Sequence, residues 1–354
     1  MAEIIKGRGT ALKPPGRFES RDTRRVDDGW GSLEEELPPL QTTVSPEQAK
    51  SIISRNDSPD IGFSQSINPY RGCEHGCIYC YARPSHAYLN LSPGLDFETK
   101  LFFKPNAAEL LDKELRKPGY KPATIMLGAN TDPYQPVERR LRVTRGILEV
   151  LARFRHPVGI TTKGAMIERD LDLLADLARD RLVGVAVTLT TLDPALKRTL
   201  EPRASSPQAR LRVMRQLSGA GVPVRVMFSP VIPCVNDAEL ERVLEAAAEA
   251  GASAASYVLL RLPHELKELF RDWLQAHMPQ RAAHVMSLIQ QSRGGKDNDP
   301  EFGRRMRGTG QFAELIAKRF ALARRRYGLD RERTGLDHGL FRVPPAAGDQ
   351  MGLF

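Results

Sequence analysis

The sequence predicts an α/β fold, a partial (β/α)6 barrel followed by a helical extension. Three observations predict it. From about residue 64 to residue 263, short apolar segments alternate with helical segments of roughly 10 to 18 residues, the pattern of parallel βαβ units. The apolar segments run with few polar interruptions, as strands do when both faces of a sheet are covered. Six such units occur, and after Arg261-Leu262-Pro263 the alternation gives way to helices alone. Six strands fall short of the eight that close a full barrel, so an open one is expected.

The elements follow in order along the chain. Residues 63–68 form the first strand and lead directly into a cysteine-rich loop. Residues 99–104 extend as a strand, and Pro105 suits the first turn of a helix to about residue 117, where its missing N–H is harmless. The second barrel strand is 124–128. A helix over 137–155 sets Leu141, Ile147, Leu148 and Leu151 on one side. Residues 158–162 are the third strand, followed by a helix carrying Leu171, Leu174 and Leu177. The fourth strand is 183–191. A helix from 207 to 218 ends at Gly219 and Gly221, and 222–231 is the fifth strand. Asn236 and Glu239 stand three apart at the next helix start, close to a capping box, and Gly251 ends that helix. Residues 254–260 supply the sixth strand. Helices over about 264–277, 279–291 and 310–327 follow, the last two separated by the insert Arg293-Gly294-Gly295-Lys296-Asp297-Asn298-Asp299-Pro300.

The expected organisation is an extended or disordered arm over 1–60, the barrel over 61–263, a helical extension over 264–343 and a frayed tail over 344–354. In the arm, Gly7-Arg8-Gly9 and Pro14-Pro15-Gly16 lack periodicity. They suit either a disordered leader or a basic arm folded over a partner or the barrel.

A formal charge of +9 and a pI near 9.5 favour anionic partners such as nucleic acid. Residues 304–333 hold ten Lys or Arg against three acidic residues. They read as an amphipathic lid with a solvated charged face, or as a surface that contacts phosphates. No run approaches the roughly 18 apolar residues of a membrane span. The first residues lack the apolar centre of a signal peptide. Four cysteines in 354 residues do not make a secreted disulfide scaffold. Clustered free thiols need a reducing compartment, so the expected location is cytoplasmic, without a membrane partner.

Three of those four cysteines, Cys73, Cys77 and Cys80, fall within eight positions as CxxxCxxC. Thiolates this close can grip one inorganic centre. A 4Fe–4S cube normally takes four Cys ligands, so three would leave one iron open, and an open iron is a reaction site. Structural zinc is the alternative, completed by His75 or His86. An electron-transfer cluster would need Cys234 as its fourth ligand.

Polar residues gather where a parallel barrel places its chemistry, at the C-terminal strand ends. They are Asn130, Thr131 and Asp132 after the second strand, Thr162 and Lys163 after the third, and Thr188, Thr190 and Thr191 after the fourth. Glu201-Pro202-Arg203 lies beyond, and the fifth strand ends toward Cys234. Tyr134, Gln135 and Glu138 either face a substrate or shape the Pro-bounded loop; Phe270 and Trp273, at helical spacing, read as core.

The cysteine triplet, with Thr131-Asp132, Thr162-Lys163 and Glu201-Pro202-Arg203, resembles radical S-adenosylmethionine (SAM) enzymes, and among them the spore-photolyase-like branch. The resemblance covers about 64–263 as the family's TIM-like partial barrel. Leu260-Arg261-Leu262-Pro263 and Arg293-Gly294-Gly295-Lys296 resemble a bacterial subgroup of that branch. It implies a 4Fe–4S cluster on Cys73, Cys77 and Cys80, SAM on its open iron, and a 5′-deoxyadenosyl radical formed with an electron from a partner such as flavodoxin or ferredoxin. It also implies that Tyr79 lies near the adenine of SAM, that Thr131 and Asp132, with Asn130 beside them, meet the cofactor, and that Lys163 contacts its carboxylate. Thr190 would add a polar contact; Arg203 is either an anion clamp or a structural partner for a nearby acid. Tyr79 and Tyr81 match tyrosines implicated in hydrogen transfer.

One departure stands out. The branch carries a hydrogen-donor cysteine three residues before the Asp of the second-strand motif, and that position here is Ala129. Cys234 is the substitute thiol, if the fifth strand brings it beside the substrate. Repair of the spore photoproduct itself is therefore not expected. The expected activity is hydrogen abstraction from an anionic substrate of the nucleic-acid kind. The same radical acting on a peptide or RNA is a second reading. A nucleic-acid-binding protein with a structural Fe–S or zinc site and no turnover is a third.

Overall fold

The computed structural model describes residues 4–19, 40–330 and 335–345. Residues 1–3 and 20–39 of the expected arm, the basic residues Arg331 and Arg333, and the tail from 346 lie outside the described residues. The strands are β1 (Thr43–Pro46), β2 (Ser54–Arg55), β3 (Gln65–Ile67), β4 (Tyr70–Arg71), β5 (Lys100–Phe103), β6 (Ile125–Leu127), β7 (Val158–Thr162), β8 (Val183–Thr188), β9 (Val224–Val231) and β10 (Ala254–Leu259). Between and after them run α1 (Asp96–Thr99), α2 (Ala107–Leu115), α3 (Glu138–Leu141), α4 (Val143–Arg153), α5 (Leu171–Arg179), α6 (Pro194–Leu200), α7 (Pro207–Gly219), α8 (Leu240–Glu249), α9 (Leu266–His277), α10 (Ala282–Gln291) and α11 (Gly310–Arg326).

The main sheet has the order β10-β9-β8-β7-β6-β3-β2. Every pairing from β3 to β10 is parallel, and only β2 joins antiparallel, at the edge. β10 and β2 form opposite edges, so the expected six-unit barrel is present and open. Its strands bury Val158, Ile160, Val183, Val185, Val187, Val224, Val226 and Phe228, which explains their apolar sequence. The helices cover the outside through one stripe each: Ile147, Leu148 and Leu151 on α4, Leu174 and Leu177 on α5, Val243, Leu244 and Ala247 on α8. Helix α11 packs beside α8 and β10 through Ala313, Ile316, Phe320 and Ala323. Its last turn carries Arg324, Arg325 and Arg326, a placement the helix dipole favours. Phe270 and Trp273 of α9 are buried and stacked, with the Trp273 Nε1–H donating to the Thr199 carbonyl at 3.0 Å.

Several local expectations are corrected. The helix expected over 137–155 breaks at Arg142, whose φ is 53°. The buried Glu138 carboxylate accepts from the Tyr70 hydroxyl, the Thr144 N–H and Arg169, and Thr144 donates to the Pro133 carbonyl, which turns the chain there. No capping box forms. The Asn236 side chain accepts from the Ile232 N–H and donates to the carbonyls of Thr190 and Pro230. Glu239 accepts from the Thr191 hydroxyl and the Leu192 N–H. Both side chains therefore pin the ends of β8 and β9 together. β5 lies outside the barrel, in a three-stranded sheet ordered β1-β5-β4. Helix α6 was not foreseen; it starts on Asp193, whose side chain accepts from the Ala195 N–H, with Pro194 in its first turn.

Residues 4–19 lie along the cysteine loop and its neighbours. The Gly9 N–H donates to Glu98 at 3.0 Å, the Leu12 carbonyl accepts from Leu95, and the Pro14 carbonyl accepts from Ser92. Arg17 reaches Glu265 at 3.2 Å, just before α9. Only glycine fits at position 9, because a Cβ there would stand 1.9 Å from the Gly76 carbonyl oxygen. Of the two readings of this arm, its described part matches folding over the barrel.

Candidate functional site

The cysteine loop follows β4 and is held from beneath. Gly72 and Gly76 take positive φ (74° and 66°), which lets the loop turn back twice. The Cys73 N–H donates to the Phe97 carbonyl at 2.9 Å and the Ile78 N–H to the Leu200 carbonyl at 3.0 Å. The fully buried Arg83 donates through Nε to the Cys77 carbonyl at 2.8 Å and through Nη2 to Glu98 at 2.5 Å. A buried ion pair that also satisfies loop carbonyls gives a fixed scaffold. The thiols of Cys73, Cys77 and Cys80 are free. Burial pushes all three thiols up, Cys77 to about 12, so they stay protonated until a cation takes the proton's place.

Asp132 joins three loops. Its carboxylate lies 3.3 Å from His75 Nδ1, accepts from the Thr162 hydroxyl at 2.6 Å and from the Lys163 N–H at 2.7 Å, and caps its own turn through the Tyr134 N–H. Burial alone would raise its pKa, but His75 and these hydrogen bonds outweigh it and hold the carboxyl at about 2. The neighbouring contacts belong to the same frame. Gln135 accepts from the Glu74 N–H and donates to the Gly72 carbonyl. Glu74 pairs with Arg203 at 3.0 Å.

A second buried network stands on the other side of the loop. Glu201 accepts from the Tyr79 hydroxyl, the Thr190 hydroxyl at 2.7 Å and the Arg210 guanidinium. Tyr79 and Thr190 hydroxyls are 3.2 Å apart, and Thr190 also reaches the Ser229 carbonyl. Burial opposes the Glu201 charge, yet Arg210, Lys163 and the hydrogen bonds hold the carboxyl at about 2.

These contacts locate each expected residue. Thr131 is buried, its hydroxyl donating to the Tyr70 carbonyl at 2.9 Å. Asn130 takes a backbone contact from the Asn68 side chain and turns its amide toward Ser85 at 3.5 Å. Thr190 faces Glu201, and Arg203 has taken its structural partner. Tyr134, Gln135 and Glu138 are all buried in the loop frame. Tyr81 is exposed, and its hydroxyl donates to the carbonyl of Ala129. Cys234 is half-buried at a φ of 55°, packed against the apolar cluster that also contains Cys77 and Tyr79. Lys163 is half-buried over the Tyr79 ring, 5.8 Å from its centroid, and its ammonium has no hydrogen-bond partner among the described residues.

Sequence reasoning did not single out Arg83, Glu98 or Arg210 as site residues, and it named His75 only as a zinc ligand. Arg210 left a signal, a charge on the apolar stripe of α7 with Val213, Met214 and Leu217. The zinc alternative finds no support in the donors. His75 is engaged by Asp132, and the buried His86 directs Nε2 to the Lys100 carbonyl at 3.0 Å. Among the described residues no three His, Cys, Asp or Glu close round a single ion. A cube needs less than that, one thiolate per iron. Three free thiols, a free ammonium and a buried polar floor therefore fit a cluster carrying a carboxylate-bearing ligand. Among the described residues no helix is long and apolar enough to cross a membrane.

Comparison with known proteins agrees with this arrangement. The family profile of the radical SAM superfamily matches residues 67–247. An uncharacterised protein of Mycobacterium tuberculosis is 39% identical over 260 residues, covering 73% of this chain and 75% of the relative. An uncharacterised protein of Methanocaldococcus jannaschii is 28% identical over 192 residues, 54% of this chain and 69% of the relative. Among solved structures, a variant of spore photoproduct lyase superposes with a TM-score of 0.60 at 13% identity, covering 80% of this chain and 79% of the other. Another variant, solved with bound AdoMet and dinucleoside spore photoproduct, gives 0.57 at 13% identity, covering 80% and 78%. At such identity the likeness establishes a shared fold.

Proposed function

This chain belongs to the radical SAM superfamily, whose members use a 4Fe–4S cluster and SAM and need a reductant, and from that premise we propose that it abstracts hydrogen from an anionic substrate of the nucleic-acid kind. When bound, the cluster and SAM supply a 5′-deoxyadenosyl radical. The observation that carries the site assignment is the set of three free thiols on one buttressed loop beside the ammonium of Lys163, which has no hydrogen-bond partner among the described residues.

In this reading Cys73, Cys77 and Cys80 hold the cluster. Lys163 receives the SAM carboxylate as a charge-assisted hydrogen bond. Tyr79, fixed by Glu201, forms an aromatic wall, and Thr190 closes the floor beneath it. Asn130 and the Asp132 turn shape the cofactor's other side, where Asp132 acts mainly by holding Lys163 and His75 in place. Arg203 fixes the loop through Glu74. The protein thus orients the cofactor and excludes water.

Tyr81 and Cys234 are the groups this chain offers for returning hydrogen to substrate, since position 129 has no thiol. Spore photoproduct repair by the family's thiol route is therefore not proposed. The fold's likeness to a lyase solved with a dinucleoside photoproduct, together with the net charge of +9, supports a nucleic-acid substrate. The barrel over 61–263, the helical extension and the arm act together in this reading, with α9 and α10 packed against the cluster that contains Cys77 and Tyr79. A reduced, reconstituted protein should show an electron paramagnetic resonance signal that changes on adding SAM. A correctly assembled cluster blind to SAM would overturn the assignment.

A further inference from the structure

Arg261 lies two residues beyond β10, at the C-terminal end of the sixth barrel strand and so at the mouth. Its surroundings are unusual for a half-buried cation. The side chain has no carboxylate partner among the described residues. Its Nη1 donates to the thioether of Met306 at 3.5 Å, a weak acceptor, and its Nε is buried without a hydrogen-bond partner. An arginine offers five donors, and leaving buried donors unmet is unfavourable.

The nearby arginines do not share this condition. Arg293 is spent on four carbonyls, those of Leu259, Leu260, Arg304 and Arg305, at 2.8 to 3.2 Å. Arg305 is paired with Asp60 and donates to the Ser58 hydroxyl at 2.5 Å. Burial and Arg261 pull the pKa of Arg293 down to about 10, and burial and Arg305 lower that of Arg261. Three arginines thus crowd together here, and the nearby acids already have partners, Asp60 in Arg305 and Asp299 in Arg304. On the open side stands the exposed Tyr81, close enough for its phenol to interact electrostatically with Arg261, while its hydroxyl touches the Ala129 carbonyl. The fork of Arg261 thus borders the space between the cysteine loop and the end of β10.

We propose that Arg261 binds a phosphate of the substrate at the barrel mouth and sets that substrate beside Tyr81. The assignment rests on the nucleic-acid reading above and adds to it a specific anchor. A guanidinium matches a phosphate with charge-assisted hydrogen bonds, and such a ligand, meeting the terminal nitrogens and not the buried Nε, would supply the anionic partner that the side chain lacks among the described residues. It also explains the insert over 293–308. That segment turns back under β10, with the Leu259 N–H on the Met306 carbonyl, and crowds positive charge behind Arg261 instead of neutralising it.

The test uses the full chain and a short fluorescein-labelled single-stranded oligodeoxynucleotide, followed by anisotropy over a range of salt. Arg261→Gln should weaken binding about tenfold and reduce the slope of log affinity against log salt by about 0.7, one phosphate for a single strand. Its melting temperature should equal or exceed that of the unmodified chain, because an uncompensated charge has been removed. Arg261→Lys should keep the salt slope but bind more weakly, having lost the fork. A structural arginine would show the reverse, a lower melting temperature with affinity and slope unchanged, and that would overturn the assignment while the nucleic-acid reading stood. Salt-independent or absent binding by the unmodified chain would overturn both. Displacement of the oligonucleotide by a glutamate-rich peptide, abolished in Arg261→Gln, would reassign the arginine to a carboxylate and refute the phosphate.

Discussion

Replacing Glu201 by Gln preserves shape and removes one charge from the centre of the Tyr79 network. Arg210, almost fully buried, would then face a neutral amide in place of its carboxylate, beside the carbonyls of Thr188 and Ser205, each at 3.0 Å. Breaking a buried ion pair from one side typically costs about 3–5 kcal/mol, since the remaining charge stays buried. A second route gives a similar size. The Glu201 carboxyl is lowered from 4.5 to about 2, which corresponds to on the order of 3 kcal/mol. At about 2–4 °C per kcal/mol for a large domain, the melting temperature should fall by about 10 °C. The sign of the pH effect follows from the lowered pKa. The carboxylate's contribution is complete above about 4.5, the unfolded value, and is lost as pH falls toward 2, where the folded group takes up its proton. Circular dichroism melts of Glu201→Gln and the unmodified chain should therefore differ fully at neutral pH and converge across that acid window. The double variant Glu201→Leu with Arg210→Met should recover much of the loss, because no lone charge remains. A neutral-pH difference under about 1 °C, or a gap unchanged into acid, would refute the network's role.

Two further outcomes follow from the same geometry. Separate alanine replacements of Cys73, Cys77 and Cys80 should each abolish bound iron and sulfide after anaerobic reconstitution, whereas Cys234→Ala should retain both; elemental analysis distinguishes them, and iron lost with Cys234 would make it a ligand. Lys163→Met should raise the dissociation constant for SAM about tenfold in calorimetry of the reconstituted protein, the size of a charge-assisted hydrogen bond, while its iron content stays unchanged.

The barrel was legible in the sequence because its strands are largely buried and so carry few polar residues, and because helices such as α4 and α5 need one apolar stripe. The cysteine loop was legible by density alone. What the pattern could not convey was the pairing of polar residues far apart in the chain. Asp132 reads as one polar residue in a loop, yet it meets His75, Thr162 and Lys163. Glu201 reads only as part of a short motif beyond the fourth strand, and its partners Tyr79 and Arg210 lie elsewhere in the chain. The break at Arg142 was hidden for a related reason. Local helix propensity continues through it, and the tertiary bonds of Glu138 and Thr144 decide otherwise. Thr131 lies past β6 and Arg203 past α6, and their side chains face protein partners, which spacing cannot reveal.

The most direct test of the central claim is anaerobic reduction of the reconstituted chain with SAM, followed by chromatography for 5′-deoxyadenosine. The expected result is release of 5′-deoxyadenosine from a chain holding about four irons and four sulfides, lost in the Cys73→Ala, Cys77→Ala and Cys80→Ala variants. A chain with a fully assembled, reducible cluster that leaves SAM intact would contradict it.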